Sequence, residues 1–536
     1  MKRRIFCMIS ILLIFCLAAA GCGSRKSEIS VSSSQGGQFE AKAQSGTSDT
    51  LVIAGDKITS LNPLLNGAND MTRLIFSGLL KYGKDRTLET DLAERYSYDE
   101  ETLTYTFYLR EGVVWQDGEM VTADDVVYTY NLLTQDETLD TDIKSNYENI
   151  ASIEEDGPYT VRIRLKEKCS FMPCYFTIGI LPKNLLEGDN INTTAFNTAP
   201  VGTGQYRLAS WNGDQIVLEQ NELYYGKKSS IKKIIYKIAE NSEEKARLLE
   251  SGQAQMASLD PRDASEFSGN QAYTLYPFET SEFYGISMDY SSPFWKENAD
   301  SVYVLNYLID KDAIIREVLN GEGTGAYSPL QTMDISSASP TEPSSEKFAS
   351  EMEKLGWKKN SEGIYQRKGQ IYSLTLQVPQ GDEISAGIGL QLQKQLEQAG
   401  ILLNIETVSA LSWDGSWDGA ISSFDVSCNP DSLYKYFVTG ASGNFMHYSN
   451  TSVDTWLRGA RYEEDTDRQT ALYQKFEAAY VKYGIQIPIV YPRRYYVISS
   501  QIRGFDTNLI LCENSGGLLY NIENWSIGMK DMQEAS

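Results

Sequence analysis

Asp91-Leu-Ala-Glu-Arg-Tyr-Ser97 leads through Asp99-Glu-Glu-Thr102 into Leu103-Thr-Tyr-Thr-Phe-Tyr-Leu-Arg110. Leu103, Tyr105, Phe107 and Leu109 alternate there with Thr104, Thr106, Tyr108 and Arg110, the period of a strand buried on one face. Glu111-Gly112 and Val113-Val-Trp115 follow, and Asp117-Gly118 supplies a pair suited to a tight turn. Thr122 then suits an N-cap with Asp125 at N3, and Val126, Val127, Tyr130 and Leu133 line one side of the helix that follows. None of these residues is an obvious catalyst. Strand, turn and helix make a core unit.

Their order is distinctive. DLAERYSYDEETLTYTFYLREGVVWQDGEMVTADDVVYTY closely resembles the signature of the extracellular solute-binding proteins of family 5, the dipeptide- and oligopeptide-binding receptors of ATP-driven importers. Further likenesses extend this from about residue 49 to Trp525: the glycine turn Pro200–Arg207, the helix carrying Asn306-Tyr-Leu-Ile-Asp-Lys311, and Lys347-Phe followed by Leu355-Gly-Trp357. The resemblance implies an α/β, two-lobed, periplasmic-binding-protein-like fold of type II, in the large three-subdomain variant. Residues 49–81 with 200–280 and 492–527 would form the core of lobe I, 82–199 an extra subdomain of that lobe, and 281–491 lobe II. Two crossings, near Tyr276–Ser287 and Ile487–Tyr495, would act as a hinge over an interlobe cleft.

The patterns along the chain suit α/β units. Leu51–Ala54 reads as a buried strand, followed by Leu61-Asn-Pro63 and a helix through Leu80. Tyr159–Lys166 is a strand with apolar odd positions, after the turn Glu155-Asp-Gly-Pro158. Ile231–Leu259 reads as strand, helix and strand, with Ser242 as cap and Gly252 as stop. A second unit has strand Ile371–Val378, helix Ile384–Ala399, stop Gly400 and strand Ile401–Val408. Ser301–Asn320 and Asp467–Lys482 read as helices, and Ile487–Tyr491 as the strand after the latter.

The N-terminus predicts export. Lys2, Arg3 and Arg4 precede an apolar run from Ile5 to Ala20, the layout of a secretory signal and too short to span a bilayer comfortably. Ala19-Ala20-Gly21-Cys22 resembles a lipobox that would make Cys22 a lipidated N-terminus, although Leu is common where Ala19 stands. An ordinary secretory peptide cut near Ala20 is the alternative. Gly23–Ser48 is rich in Ser, Gly and Gln and reads as a flexible tether of about 28 Å root-mean-square span. The expected location is the outer face of the cell membrane, on the periplasmic side where an outer membrane exists.

Composition narrows the partners. The formal net charge is −24, and loss of the basic leader makes the body more acidic still. Nucleic acid, which needs Lys and Arg against its phosphates, is disfavoured, and so is direct adsorption to an anionic membrane. With 41% hydrophobic residues the chain can bury several cores. Of seven cysteines, Cys7 and Cys16 lie in the leader, and Cys22, Cys169, Cys174, Cys428 and Cys512 remain. Cys169 and Cys174 suit either a small disulfide loop or buried thiols.

Enzyme chemistry finds little support. A Ser/His/Asp hydrolase needs a histidine base, and the sole histidine, His447, stands beside aromatics in Asn444-Phe-Met-His-Tyr448. Gly285-Ile-Ser-Met-Asp289 lacks the second glycine of a nucleophile elbow, and phosphate-cradling glycine loops are absent. No metal or cofactor is expected, since one histidine and scattered cysteines make a poor ligand set.

The expected role is therefore capture of a solute for import, with ABC permease subunits and their ATPases as partners and a monomeric receptor. By resemblance the solute is a peptide. An oligosaccharide or metal chelate is the alternative within that role; a signalling-peptide receptor and a secreted hydrolase are the others. Among the 34 Tyr and 8 Trp, Tyr284, Tyr491, Trp413, Trp417 and Phe424 are candidates for the cleft lining, although each also suits a core. Asn66 and Gly67 border the cleft by resemblance. Peptide-binding members place a carboxylate against the peptide amine in a run that here reads Phe424-Asp-Val-Ser-Cys-Asn-Pro430. Phe424 and Pro430 fit, but Ser427 or its neighbour stands where the Asp is expected, with Asn429 beyond and Asp425 and Asp431 as displaced carboxylates. Asp425 could serve from a shifted register or face solvent.

Overall fold

A computed structural model describes residues 48–65, 69–426, 429–507, 510–511 and 516–528. Cys22, the tether up to residue 47, Asn66, Gly67, Ser427, Cys428 and Cys512 lie outside the described residues.

The deciding stretch folds as its pattern requires. Strand Thr104–Leu109 buries Tyr105, Phe107 and Leu109 and leaves the alternate positions half-exposed. Gly118 turns the chain at φ +96°. Helix Ala123–Gln135 starts at Thr122, whose backbone N–H donates to the Asp125 carboxylate at 2.9 Å in a full capping box. Val126, Tyr130 and Leu133 are buried, and Val127 only partly. Strand Thr160–Leu165 buries its odd residues, and the four strands Ala93–Asp99, Thr104–Leu109, Thr160–Leu165 and Ile150–Glu155 pair antiparallel in that order.

Two larger sheets carry the rest. The first has eight strands, ordered Ile510–Leu511, Tyr273–Thr280, Arg494–Ser499, Met256–Leu259, Thr50–Gly55, Lys233–Ile238, Gln215–Gln220 and Tyr206–Asn212. The second has six, ordered Gly323–Gly325, Ile487–Pro492, Glu282–Met288, Gly419–Asp425, Ser373–Pro379 and Leu402–Val408. Separate apolar cores lie beneath them. One gathers Leu51, Trp115, Phe107, Ile234 and Trp525, and another Ile286, Leu376, Leu392 and Trp357. Each sheet is packed against apolar clusters of its own, and the two sheets with their cores make two lobes.

The turn at Gly202 and Gly204 packs against helix Asp70–Ile75 so closely that an added Cβ would lie 1.9 Å from the Ile75 carbonyl oxygen and 2.4 Å from that of Leu74. Only glycine allows that approach.

Local competition corrected three expectations. The helix expected through Leu80 ends at Ile75: Phe76 is extended, and Leu80–Tyr82 pairs as a strand with Leu88–Thr90. The cap of helix Ser242–Glu250 is Asn241, whose side chain accepts from Glu244 N–H at 2.9 Å, while Ser242 Oγ accepts from Asp260 N–H. Both residue types cap well, and the upstream one took the role. Ser301–Asn320 is broken into short 3₁₀ turns before helix Lys311–Leu319, because the Asp310 side chain starts a new helix by accepting from Ala313 N–H. Cys169 and Cys174 are free, and burial pushes the Cys169 thiol up to about 12.

Candidate functional site

The chain passes between the two sheets twice, each time through a single residue. Ser281 joins strand Tyr273–Thr280 of the first sheet to Glu282–Met288 of the second, and Arg493 joins Ile487–Pro492 of the second to Arg494–Ser499 of the first. The crossings run side by side, since Phe278 pairs with Arg494 on one side and Tyr284 with Val490 on the other. Two adjacent one-residue links are a hinge between lobes.

Charged groups gather at this hinge. The Arg494 guanidinium donates to Glu282 and to the Tyr284 hydroxyl, each at 3.0 Å, and also pairs with Asp260 of the first lobe. Burial works against its charge, but Glu282, Tyr284 and Asp260 outweigh that and hold it protonated. Burial raises the Asp260 carboxyl, with Arg494 opposing. Ser281 Oγ donates to the Asp425 carboxylate, and Asp425 stands opposite Glu282 in the strand pair. Asp425 is thus tied to the first crossing.

Tyr284, Phe424, Asp425 and Tyr491 lie on the three neighbouring strands at the crossings. Phe424 is buried against Phe283, Tyr436 and Phe445, and Trp413 packs on Phe445 at 4.5 Å between ring centres. Tyr491 is buried too, its hydroxyl donating to the Ser328 carbonyl. Trp417 stands apart, its indole donating to Glu406 of the edge strand Leu402–Val408. Asn429 accepts from Asp431 N–H at 3.0 Å.

Asp431 is committed elsewhere, and here the sequence reading missed a constellation. Arg461 Nε and Nη2 each reach its carboxylate at 2.9 Å, and both side chains are 1% exposed. Tyr175, at the end of the short helix Met172–Tyr175 and part of the first core, donates to the same carboxylate, and Arg461 Nη1 donates to the Ser145 carbonyl at 2.9 Å. Arg461 also lies 3.5 Å from the centre of the Tyr434 ring, whose hydroxyl bonds Glu148. The cluster therefore joins elements of the two lobes by contacts separate from those at the crossings.

His447 Nδ1 is 3.2 Å from Asp289, which also accepts from Ser291 Oγ at 2.6 Å. The carboxylate, not the imidazole, stands between the other two groups, whereas a hydrolase triad needs the imidazole there. No group of three or more His, Cys, Asp or Glu among the described residues is placed to hold a metal.

The family model for bacterial extracellular solute-binding proteins, family 5, matches residues 87–445. The chain belongs to this family. It is similar to Protein XP55 of Streptomyces lividans, with 28% identity over 92% of each chain. It is 26% identical to the oligopeptide-binding protein AppA of Bacillus subtilis, over 98% of this chain and 99% of that one. The structure of that AppA in complex with a nonapeptide matches with a TM-score of 0.80 over 90% of this chain and 99% of the other, at 23% identity. The nickel–histidine complex of NikZ from Campylobacter jejuni matches with a TM-score of 0.81 at 25% identity, over 89% and 99%. The two-lobed, hinged fold implied by the resemblance is thus the observed one, and the protein is an extracellular solute-binding protein. No helix among the described residues is long and apolar enough to cross a membrane.

Proposed function

We propose that this protein delivers peptides to an ATP-driven importer, capturing each in the interlobe cleft with its amino end toward Asp425. The reading rests on one observation: a carboxylate tied to Ser281 at a one-residue crossing, on the end of strand Gly419–Asp425. An ammonium buried by closure needs a counter-charge, because leaving it unpaired costs several kcal/mol. Asp425 supplies one, while Asp431 is engaged with Arg461. The name of the similar AppA, an oligopeptide-binding protein, supports the same solute class. Asn66, Gly67, Ser427 and Asn429 belong to the proposed lining, with the body a monomer held to the outer face of the cell membrane through Cys22.

Native mass spectrometry of the purified protein should show bound peptide masses. A saccharide or nickel–histidine complex in their place, or failure to bind any member of a broad peptide library, overturns the peptide reading. Conversion of a bound peptide into fragments by the pure protein would make it a hydrolase. Adjacent ATPase and permease genes separate importer from sensor.

Asp425→Asn is expected to weaken binding of free-amine peptides more than about tenfold, the scale of a charge-assisted hydrogen bond, and to leave N-acetylated peptides little changed. Calorimetry measures both, and equal affinities for free-amine peptides before and after the change remove Asp425 from the site. Cys22→Ser should abolish lipid labelling, leaving the protein uncleaved or released. Wild-type protein found wholly in the medium with an unmodified N-terminus contradicts the anchor.

A further inference from the structure

Every partner in the cross-lobe cluster is a residue of this chain. Three segments of the first lobe contribute: the turn Asp142–Asn146, Glu148 after it, and Tyr175. Two helices of the second lobe answer them, Ser432–Phe437, preceded by Asp431, and Thr451–Tyr462. Tyr175 reaches Asp431 at 2.5 Å, and Ser145 Oγ lies 2.9 Å from Ser442 Oγ. Ser442 Oγ donates to the Asp142 carbonyl, and Lys435 pairs with the Asp142 carboxylate at 3.4 Å. Arg461 and Arg458 each stand 3.8 Å from Glu148. Lys168 pairs with Glu464 at 3.1 Å. Apolar contact accompanies the charges, because Phe171 packs against the cores of both lobes and Tyr462 against that of the first.

We propose that this cluster is a latch that draws the empty cleft shut. Closing free energy then has two parts, one from the latch and one from the solute, and only the second depends on what is bound. A latch of this kind raises the closed population before capture, and a solute shifts that population further only by binding the closed form better. Its lobe I side is acidic at Asp142 and Glu148, its lobe II side basic at Lys435, Arg458 and Arg461, with Lys168–Glu464 reversed. Asp142 and Glu148 keep 53% and 39% of their side chains exposed, so salt screens this part of the latch. The Arg461–Asp431 pair is buried and is screened far less.

The test uses solute-free protein, stripped by unfolding and refolding and carrying one fluorophore on each lobe. Single-molecule energy transfer reads the closed-to-open ratio in wild type, in Asp142→Asn with Glu148→Gln, and in Tyr175→Phe. None of these changes removes a member of the Asp431–Arg461 pair, and unchanged circular dichroism verifies the fold. Wild type should populate the closed form without solute, and the ratio should fall about tenfold in Tyr175→Phe, the scale of one charge-assisted hydrogen bond. Raising salt from 0.05 to 1 M should open wild type more than Asp142→Asn with Glu148→Gln. A wild type that stays open when empty, or ratios identical in wild type and all variants, overturns the latch. Should Tyr175→Phe fail to fold, the two partly exposed carboxylate changes still decide through the salt response.

Discussion

Asp431→Ala is expected to destabilise the protein by about 3–5 kcal/mol, the cost of stranding one member of a buried ion pair. Arg461 and Asp431 are each 1% exposed and share a two-pronged contact, both prongs 2.9 Å. Without the carboxylate, the guanidinium keeps the Ser145 carbonyl, the face of Tyr434 and Glu148 at 3.8 Å, a longer and partly exposed partner that replaces little of the two-pronged contact. Part of the loss falls on the second lobe, which contains both charges, and part on closure, because Tyr175 and Ser145 belong to the first. Replacing both charges together, as Asp431→Leu with Arg461→Met, should cost less than either change alone, since it removes the stranded charge with its partner. Urea unfolding of Asp431→Ala, Asp431→Leu, Arg461→Met and the double variant measures this. A single change costing under about 1 kcal/mol, the range of exposed pairs, would mean that water reaches the cluster.

Much of the fold was legible because it rests on local rules. The alternation at Leu103–Leu109 and the Thr122–Asp125 capping box each involve residues within one element, and both formed as read. Helix Glu383–Ala399 ends at Gly400 in a left-handed turn at φ +97°, another local signal. Local reading failed where two local signals competed, as Asn241 with Ser242, or where a polar residue restarted a helix, as Asp310 does inside an apparently continuous pattern. At the hinge, the sequence singled out Asp425 and the strand that carries it. It did not locate Arg494, whose partners Asp260, Glu282 and Tyr284 are more than 200 residues away in the chain. The latch was wholly illegible for the same reason: Tyr175 and Asp431 are 256 positions apart, and no periodicity reports a contact made by bringing two lobes together.

Lys311→Met is expected to flatten the pH dependence of stability between about pH 7 and pH 10.4 by up to about 1.4 kcal/mol per pH unit. Lys311 opens helix Lys311–Leu319 with its ammonium inside the lobe, donating to the Ala326 carbonyl at 2.5 Å and lying 4.2 Å from the centre of the Tyr327 ring. One carbonyl and one ring do not replace the water it has lost, and burial lowers its pKa to about 7. In the unfolded chain the same amine titrates near about 10.4. Between these values the unfolded state holds the extra proton, so stability rises with pH across the window. The contribution of Lys311 is complete above the upper value, shrinks as pH falls, and is lost below about 7, where folding must bury the charged form. Methionine has a similar length and no proton to bind, so the variant lacks this slope. The Ala326 carbonyl loses its partner at every pH, which shifts the variant's curve vertically without tilting it. Urea unfolding at half-unit pH intervals, with wild type and variant compared point by point, isolates the tilt from every other titrating group. Parallel curves across the window would show that Lys311 keeps its ordinary pKa, and therefore that its amine is hydrated in the folded protein.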